Sequence, residues 1–282
     1  MLVFTAVGRN KICWWILAVI KQLVLRIPLM NRSFIILSSA RSGSTLLRFL
    51  LNGHPKITCL GELLNRKFLN NHQLCGMSSY VLVNYILASL LPRKLWLPFT
   101  GFKLFHEQME FCNLRFEEIL AALLCPPVIV LFRENMLDTY TSLQIAFKTD
   151  VWYSEDESSR EERIEIDWQE FVGYVANLRE RWKRSMMGIP LNAKVFFVSY
   201  EELTTNKDRT MNKIFQFLNL EDCNVETTAK KQNPLSLREK IINYKQIKEL
   251  TLQNHFDYTI TKHWLRTTWT QGKKLPDSNE NC

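Results

Sequence analysis

The residues best suited to chemistry sit directly after short apolar runs. After Phe34–Ser38 (FIILS) comes Ser38-Ser39-Ala40-Arg41-Ser42-Gly43-Ser44-Thr45, and Thr45–Leu51 (TLLRFLL) then has helical spacing. A strand, a turn of small residues and a helix N-terminus form a cradle for an anion, because successive backbone N–H groups and the helix dipole converge on one point. Gly43 permits close backbone approach, and Arg41 supplies positive charge. Ser44 and Thr45 either donate hydroxyls to a ligand or cap the helix. The segment lacks the first Gly and the Lys of the Walker pattern GxxxxGK[ST]. A second run, Val128–Phe132 (VIVLF), ends in Phe132-Arg133, and the helix that follows carries Thr139, Thr141 and Ser142. An Arg at a strand end and a hydroxyl on the next helix hold one phosphate from two sides. The plain alternative pairs Arg133 with Glu134 or Asp138 and leaves the hydroxyl on a solvated face.

These residues need elements to position them. Five short apolar runs read as strands: Phe34–Ser38, Ile57–Leu60, Gly101–Phe105, Val128–Phe132 and Lys194–Ser199. Helical patterns lie between them at Thr45–Leu51, Lys67–Leu91, Leu114–Leu124, Met136–Phe147 and Trp168–Met187, with another at Lys207–Leu218. Asn52-Gly53 reads as a helix C-cap, and Ser154–Ile166 as an acidic loop. Beyond Glu221 the chain is helical and basic with no convincing strand. Strands alternating with helices predict an open, mostly parallel α/β sheet. Right-handed crossovers place every strand C-terminus on one edge, where such sheets bind ligands.

The 282 residues are 46% hydrophobic and 23% charged, which argues against a disordered chain, a collagen-like repeat or a polytopic membrane protein. The net charge is +8, and it is unevenly spread: 1–30 carry four cations and no acid, 150–170 carry a local −7, and 226–274 a local +6. A basic balance favours anionic partners. Seven scattered cysteines without a CxxC pair read as reduced, mostly buried thiols in a reducing, cytoplasmic compartment. Residues 1–30 form a separate basic, apolar segment ahead of the domain at 31–282. The run ICWWILAVI (12–20) is too short to span a bilayer. It reads as a leading helix packed on the domain, or as part of an amphipathic helix in peripheral contact with a membrane. If it anchors a eukaryotic chain, the Golgi lumen is the alternative compartment.

RSGSTLL after the first strand and VIVLFRxNxxDTxxS at the fourth resemble the two donor-binding segments of the sulfotransferase superfamily that uses 3′-phosphoadenosine-5′-phosphosulfate (PAPS). HPKITCLGELLN, GFKLF, VSYEELTTN, IFQFLNL and NPLSLREKIINY follow in the family's order over roughly residues 33–250, and the GELLN, GFK and late Asn-Tyr elements look most like its bacterial carbohydrate branch. The resemblance implies a P-loop-like three-layer fold and transfer of a sulfuryl group to a carbohydrate or glycolipid hydroxyl, in line and without a metal. It implies that Arg41, Ser42, Gly43, Ser44 and Thr45 grip the 5′-phosphate and sulfuryl group, with Arg41 as the cation at the leaving oxygen. It assigns Arg133 and Ser142 to the 3′-phosphate. Ser142 stands nine residues after Arg133, whereas much of the superfamily places the Ser at eight, where Thr141 falls here. Glu62 of the GE element is the first choice for the base that takes the acceptor proton. His106, directly after the third strand and next to Glu107, which could orient it, is the second. Lys103 is a salt-bridge residue or an acceptor contact. His54 and the Tyr200-Glu201-Glu202 element read as structural, and Trp264 and Trp269 as core or acceptor-lining.

Two other readings compete. A P-loop-like nucleotide kinase is disfavoured by the missing Walker Lys. A non-catalytic basic module would bind membrane or nucleic acid through 1–30 and 226–274, but no nucleic-acid signature is present, so no nucleic-acid partner is expected.

Overall fold

The computed structural model describes residues 32–90, 99–152, 161–226 and 235–271. The expectations for 1–30 lie outside them. Five strands, β1 (Ser33–Ser38), β2 (Ile57–Glu62), β3 (Phe99–Phe105), β4 (Val128–Phe132) and β5 (Val195–Ser199), form one sheet in the order β2-β3-β1-β4-β5. Every neighbouring pair is parallel. The sheet is therefore wholly parallel, not mostly so. β1 and β4 are buried at every residue, as continuous apolar runs must be when helices cover both faces.

Twelve helices surround the sheet among the described residues. α1 (Ser44–Asn52) follows β1, and α2 (Arg66–Asn71) and α3 (Ser79–Leu90) follow β2. α4 (His106–Phe111) and α5 (Phe116–Ala122) follow β3, and α6 (Met136–Thr149) and α7 (Trp168–Gly188) follow β4. After β5 come α8 (Tyr200–Thr205), α9 (Lys207–Phe217), α10 (Leu237–Lys240), α11 (Tyr244–Gln253) and α12 (Lys262–Gln271). The strand period of two divides the core into two layers. Ile35, Leu37, Phe102 and Val130 meet Leu120 of α5 and Trp182 of α7. Phe34, Ile36, Ile129 and Leu131 meet Leu47 and Leu50 of α1 and Ile214 and Phe215 of α9.

Several expected boundaries shift. The single helical stretch at 67–91 is two helices, because Gln73 and Gly76 take left-handed backbone and turn the chain between them. The helix at 114–124 shrinks to Phe116–Ala122, with Leu124 and Cys125 left-handed behind it. Gly53 ends α1 in right-handed conformation (φ −69°), so the expected glycine cap is not a left-handed one. α4 and α8 have no counterpart in the periodicity, because a six-residue helix is held by its neighbours more than by propensity. Of the five described cysteines only Cys59 is buried, and Cys75 is exposed, so most of these thiols are more accessible than expected. Trp269 resolves to the core side: its Nε1 donates to Ile189 O at 3.1 Å.

The strand order fixes where a ligand can enter. The chain leaves β1 toward β2, on one side of the sheet, and leaves β4 toward β5, on the other. β1 and β4 are adjacent, so their loops diverge and open a crevice between them. The residues lining that crevice are those that follow Ser38 and Phe132.

Candidate active site

The loop after β1 reverses direction through two left-handed residues, Arg41 (φ 64°) and Gly43 (φ 88°). Ser42 Oγ donates to Ser39 O at 2.8 Å and pins the turn from inside, so this hydroxyl is spent on the loop. α1 begins at Ser44 with no side-chain cap. Its first-turn N–H groups therefore carry the positive end of the helix dipole without a protein acceptor from a capping side chain. Gly43 lies under the Tyr200 ring, where an added Cβ would stand 2.4 Å from Tyr200 Cδ2. Gly43→Ala combines left-handed strain with that overlap, each costing about 1–3 kcal/mol. A drop of roughly 5 °C or more in melting temperature is expected, and scanning calorimetry checks it.

The loop after β4 comes to the same place. Arg133 is buried, with Nη1 3.4 Å from Arg41 O and its guanidinium 4.5 Å over the Tyr200 ring. Its Nη2 donates to the Asp138 carboxylate, so the plain pairing open to Arg133 in the sequence is present. Its Nε is buried without a protein partner. Lys240 of α10, also buried, stands 3.8 Å from the same carboxylate. Arg41 Nε donates to Ser142 Oγ at 2.9 Å, and its Nη1 donates to Trp152 O. Burial, and next the charge of Arg133, lower the Arg41 guanidinium to about 10, with Tyr200 opposing. Two cations, Arg133 and Lys240, thus share the Asp138 carboxylate, and Arg41 stands beside Arg133. Thr141 does not join them: it is fully buried and donates to Leu137 O at 2.7 Å within α6, so Ser142 is the hydroxyl that faces the crevice.

Beside this corner stands Glu62. A register shift in β2 between Leu60 and Glu62 brings Glu62 opposite Lys103; such bulges re-aim a side chain at a sheet edge. Lys103 Nζ lies 3.0 Å from Glu62 Oε1 and 3.2 Å from Thr45 Oγ1, joining the carboxylate to the first turn of α1. Asn65 Nδ2 and Gln108 Nε2 each donate to Glu62 Oε2 at 3.0 Å. The carboxylate is oriented by three donors yet keeps part of its surface open.

His106 is placed differently. It is buried, with Nδ1 2.9 Å from Ser185 Oγ and its ring edge-on to Trp182 at 4.3 Å. Glu107, expected to orient it, pairs instead with Arg181 at 3.3 Å. Burial first, then Arg181 and Arg184, lower the imidazole to about 3. The unfolded chain binds a proton near pH 6.5 that the folded chain refuses, so stability due to His106 is full above 6.5 and is lost as pH falls toward 3. His106→Gln should flatten that part of the stability–pH curve, measured by denaturant unfolding from pH 7 to 4. An unchanged slope would mean the ring protonates in the folded state.

Asn65, Gln108 and Lys240 were not singled out in the sequence. Asn65 carries a signal there, as an N-cap type before a helix, and its side chain accepts from Lys67 N. Tyr200, read as structural, packs on both Gly43 and Arg133 and so stands against both loops of the crevice. Glu202 braces as expected, pairing with Lys262 at 2.6 Å, and His54 is a buried helix-end residue 3.2 Å from Glu221 O. Among the described residues no helix is long and apolar enough to cross a membrane, and no group of three or more His, Cys, Asp or Glu is placed to hold a metal ion.

An uncapped helix N-terminus and two converging cationic segments meet at the switch point of the parallel sheet in this three-layer α/β protein, a setting suited to an anion. The sequence matches the sulfotransferase domain family over residues 31–267. The chain belongs to that family and is a sulfotransferase. Among solved structures it resembles a mouse sulfotransferase, SULT7A1, complexed with PAP (12% identity, 86% of this chain and 88% of that one, TM-score 0.48). It also resembles a sulfotransferase from Alicyclobacillus acidocaldarius (16%, 82% and 97%, 0.43). A third is the sulfotransferase domain of the Synechococcus PCC 7002 olefin synthase (17%, 86% and 95%, 0.44). No curated protein matches the chain in sequence.

Proposed function

We propose that this enzyme moves a sulfuryl group from PAPS to a hydroxyl of a carbohydrate or glycolipid. The observation that carries the reading is the contact of Arg41 with Ser142, which joins the loop after β1 to the helix after β4 at one crevice. The residues present suit a donor with phosphates at both ends. The Gly43 turn and the uncapped start of α1 suit the 5′-phosphosulfate. The buried, unpartnered Nε of Arg133, with Ser142 beside it, suits the 3′-phosphate. PAPS supplies the activated sulfuryl group. Arg41, with the N–H groups of Ser44 and Thr45, stabilises the charge that grows on the leaving oxygen. The chain's own cations perform that neutralisation, so the reading requires no metal.

Glu62 accepts the acceptor proton in this scheme. Lys103 ties Glu62 to Thr45, and so holds the base in register with the loop that grips the donor. The buried, Ser185-bonded position of His106 favours Glu62 over it. The acidic stretch at 148–166 favours a neutral sugar over a polyanionic one.

Adenosine 3′,5′-bisphosphate is the test ligand. At 100 times its Kd it should stabilise the fold by about 2.7 kcal/mol, seen as a rise of several degrees in melting temperature. Adenosine 5′-phosphate should give a smaller rise, and Arg133→Ala should abolish most of the difference between the two. No shift at saturation would overturn the donor assignment.

A further inference from the structure

Arg41 is held from two sides, and one of the two is backbone. Its Nε donates to Ser142 Oγ at 2.9 Å, and its Nη1 donates to the carbonyl of Trp152, 111 residues along the chain. Ser142 lies in α6, and Trp152 stands just past the end of that helix at Thr149. Both acceptors are uncharged, so they aim the guanidinium without neutralising it. Burial and the neighbouring Arg133 disfavour its charged form, and each accepted hydrogen bond offsets part of that cost. The turn that aims the Trp152 carbonyl is built by its own side chains. Asp150 ends α6 in left-handed backbone (φ 53°), a conformation that Asp and Asn tolerate better than most residues. Thr149 Oγ1 donates to Ile145 O at 2.9 Å and accepts from Val151 N at 3.3 Å, which ties the turn to the helix. Trp152 Nε1 donates to Asp150 Oδ1 at 3.3 Å, and its ring stands edge-on to Phe147 with centroids 5.2 Å apart. The core gains little from this arrangement, since Phe147 is 61% exposed and Trp152 40%. What it fixes is the direction of one carbonyl.

We propose that Asp150 and Trp152 are positioning residues for transfer: their turn presents the Trp152 carbonyl to Arg41 and so holds the guanidinium at the leaving oxygen of the donor. The proposal rests on the sulfuryl-transfer reading and adds to it two side chains that lie outside both donor-binding loops. They act through Arg41 rather than on donor or acceptor. Ser142 alone leaves the guanidinium a pivot about Nε; a second acceptor at Nη1 removes that rotation. The gain is in rate, because a displacement of about 1 Å at a reacting centre can cost 10²-fold.

The test measures transfer of labelled sulfate from PAPS, with the best of a panel of methyl glycosides as acceptor, in single and double variants. Trp152→Ala should lower kcat by about 10–10²-fold. Its affinity for adenosine 3′,5′-bisphosphate should stay within about twofold of wild type, the scatter expected of independent sites, which also shows that the variant folds. Asp150→Ala should slow transfer in the same way. Asp150→Asn should restore the rate, since Asn keeps an acceptor oxygen for the indole N–H and accepts the left-handed backbone. The decisive readout is the double variant. In an Arg41→Ala background Trp152→Ala should cost no more than about twofold, because residues acting through one group are not additive. A kcat for Trp152→Ala close to wild type, or a loss of equal size with and without Arg41, would overturn the proposal. An unchanged rate in Arg41→Ala itself, or no transfer by the wild-type enzyme to any of the glycosides, would instead overturn the sulfuryl-transfer reading beneath it.

Discussion

Glu62→Gln is expected to lower kcat by about 10²–10⁴, the usual contribution of a positioned general base, while adenosine 3′,5′-bisphosphate binds as before. Two effects combine. The amide cannot take the acceptor proton. It also breaks a fully matched set of bonds, since one carboxylate oxygen receives Lys103 and the other receives Asn65 and Gln108. A Gln there must turn its NH₂ toward one of those donors, and the side chain will swing. Glu62→Asp separates the two effects: it keeps the base but withdraws it by one methylene, so it should retain more activity than Gln. Single-turnover transfer from labelled PAPS gives the rate of the chemical step, free of product release. A kcat within a few-fold of wild type for Glu62→Gln would remove Glu62 as the base.

Arg41→Ala should cost about 10²–10³ in the transfer step, the loss seen when one preorganised donor to a developing anion is removed. It should weaken nucleotide binding much less, because Arg133, Lys240 and the α1 N-terminus keep their charge. Arg41→Lys should recover only part of the rate. The guanidinium reaches Ser142 Oγ and Trp152 O from two different nitrogens, a fork that a single ammonium cannot reproduce. Arg133→Ala should show the opposite balance, with affinity falling more than rate. The reverse pattern, affinity lost with Arg41 and rate lost with Arg133, would exchange the two phosphate sites.

Much of this was legible before any coordinates. FIILS and VIVLF are continuous apolar runs, and such runs of strand length belong in a buried parallel sheet. β4 appears at the boundaries read from its residues, and β1 and β5 within one residue of theirs. The turn between β1 and α1 was readable because small residues and a glycine before a helical pattern restrict the backbone locally. The identity of Arg41 and Arg133 as rim residues followed from strand ends alone, since parallel strands must all finish on one edge.

What the sequence by itself determined is therefore the local and the periodic: the strands, the anion-binding turn, and the edge at which chemistry would gather. Only the tertiary structure decided between residues that the sequence left equivalent. Thr141 and Ser142 are neighbours with similar hydroxyls, and their assignment turns on helix phase, a 100° rotation that sends one into the core and the other to Arg41. Glu62 ends one strand and His106 follows another. A bulge turns the first to Lys103 and the rim, while packing against Trp182 and Ser185 takes the second inward. Gln108 and Lys240 join the site from residues distant in the chain. No local pattern records such a meeting, because it is set by how helices settle on the sheet.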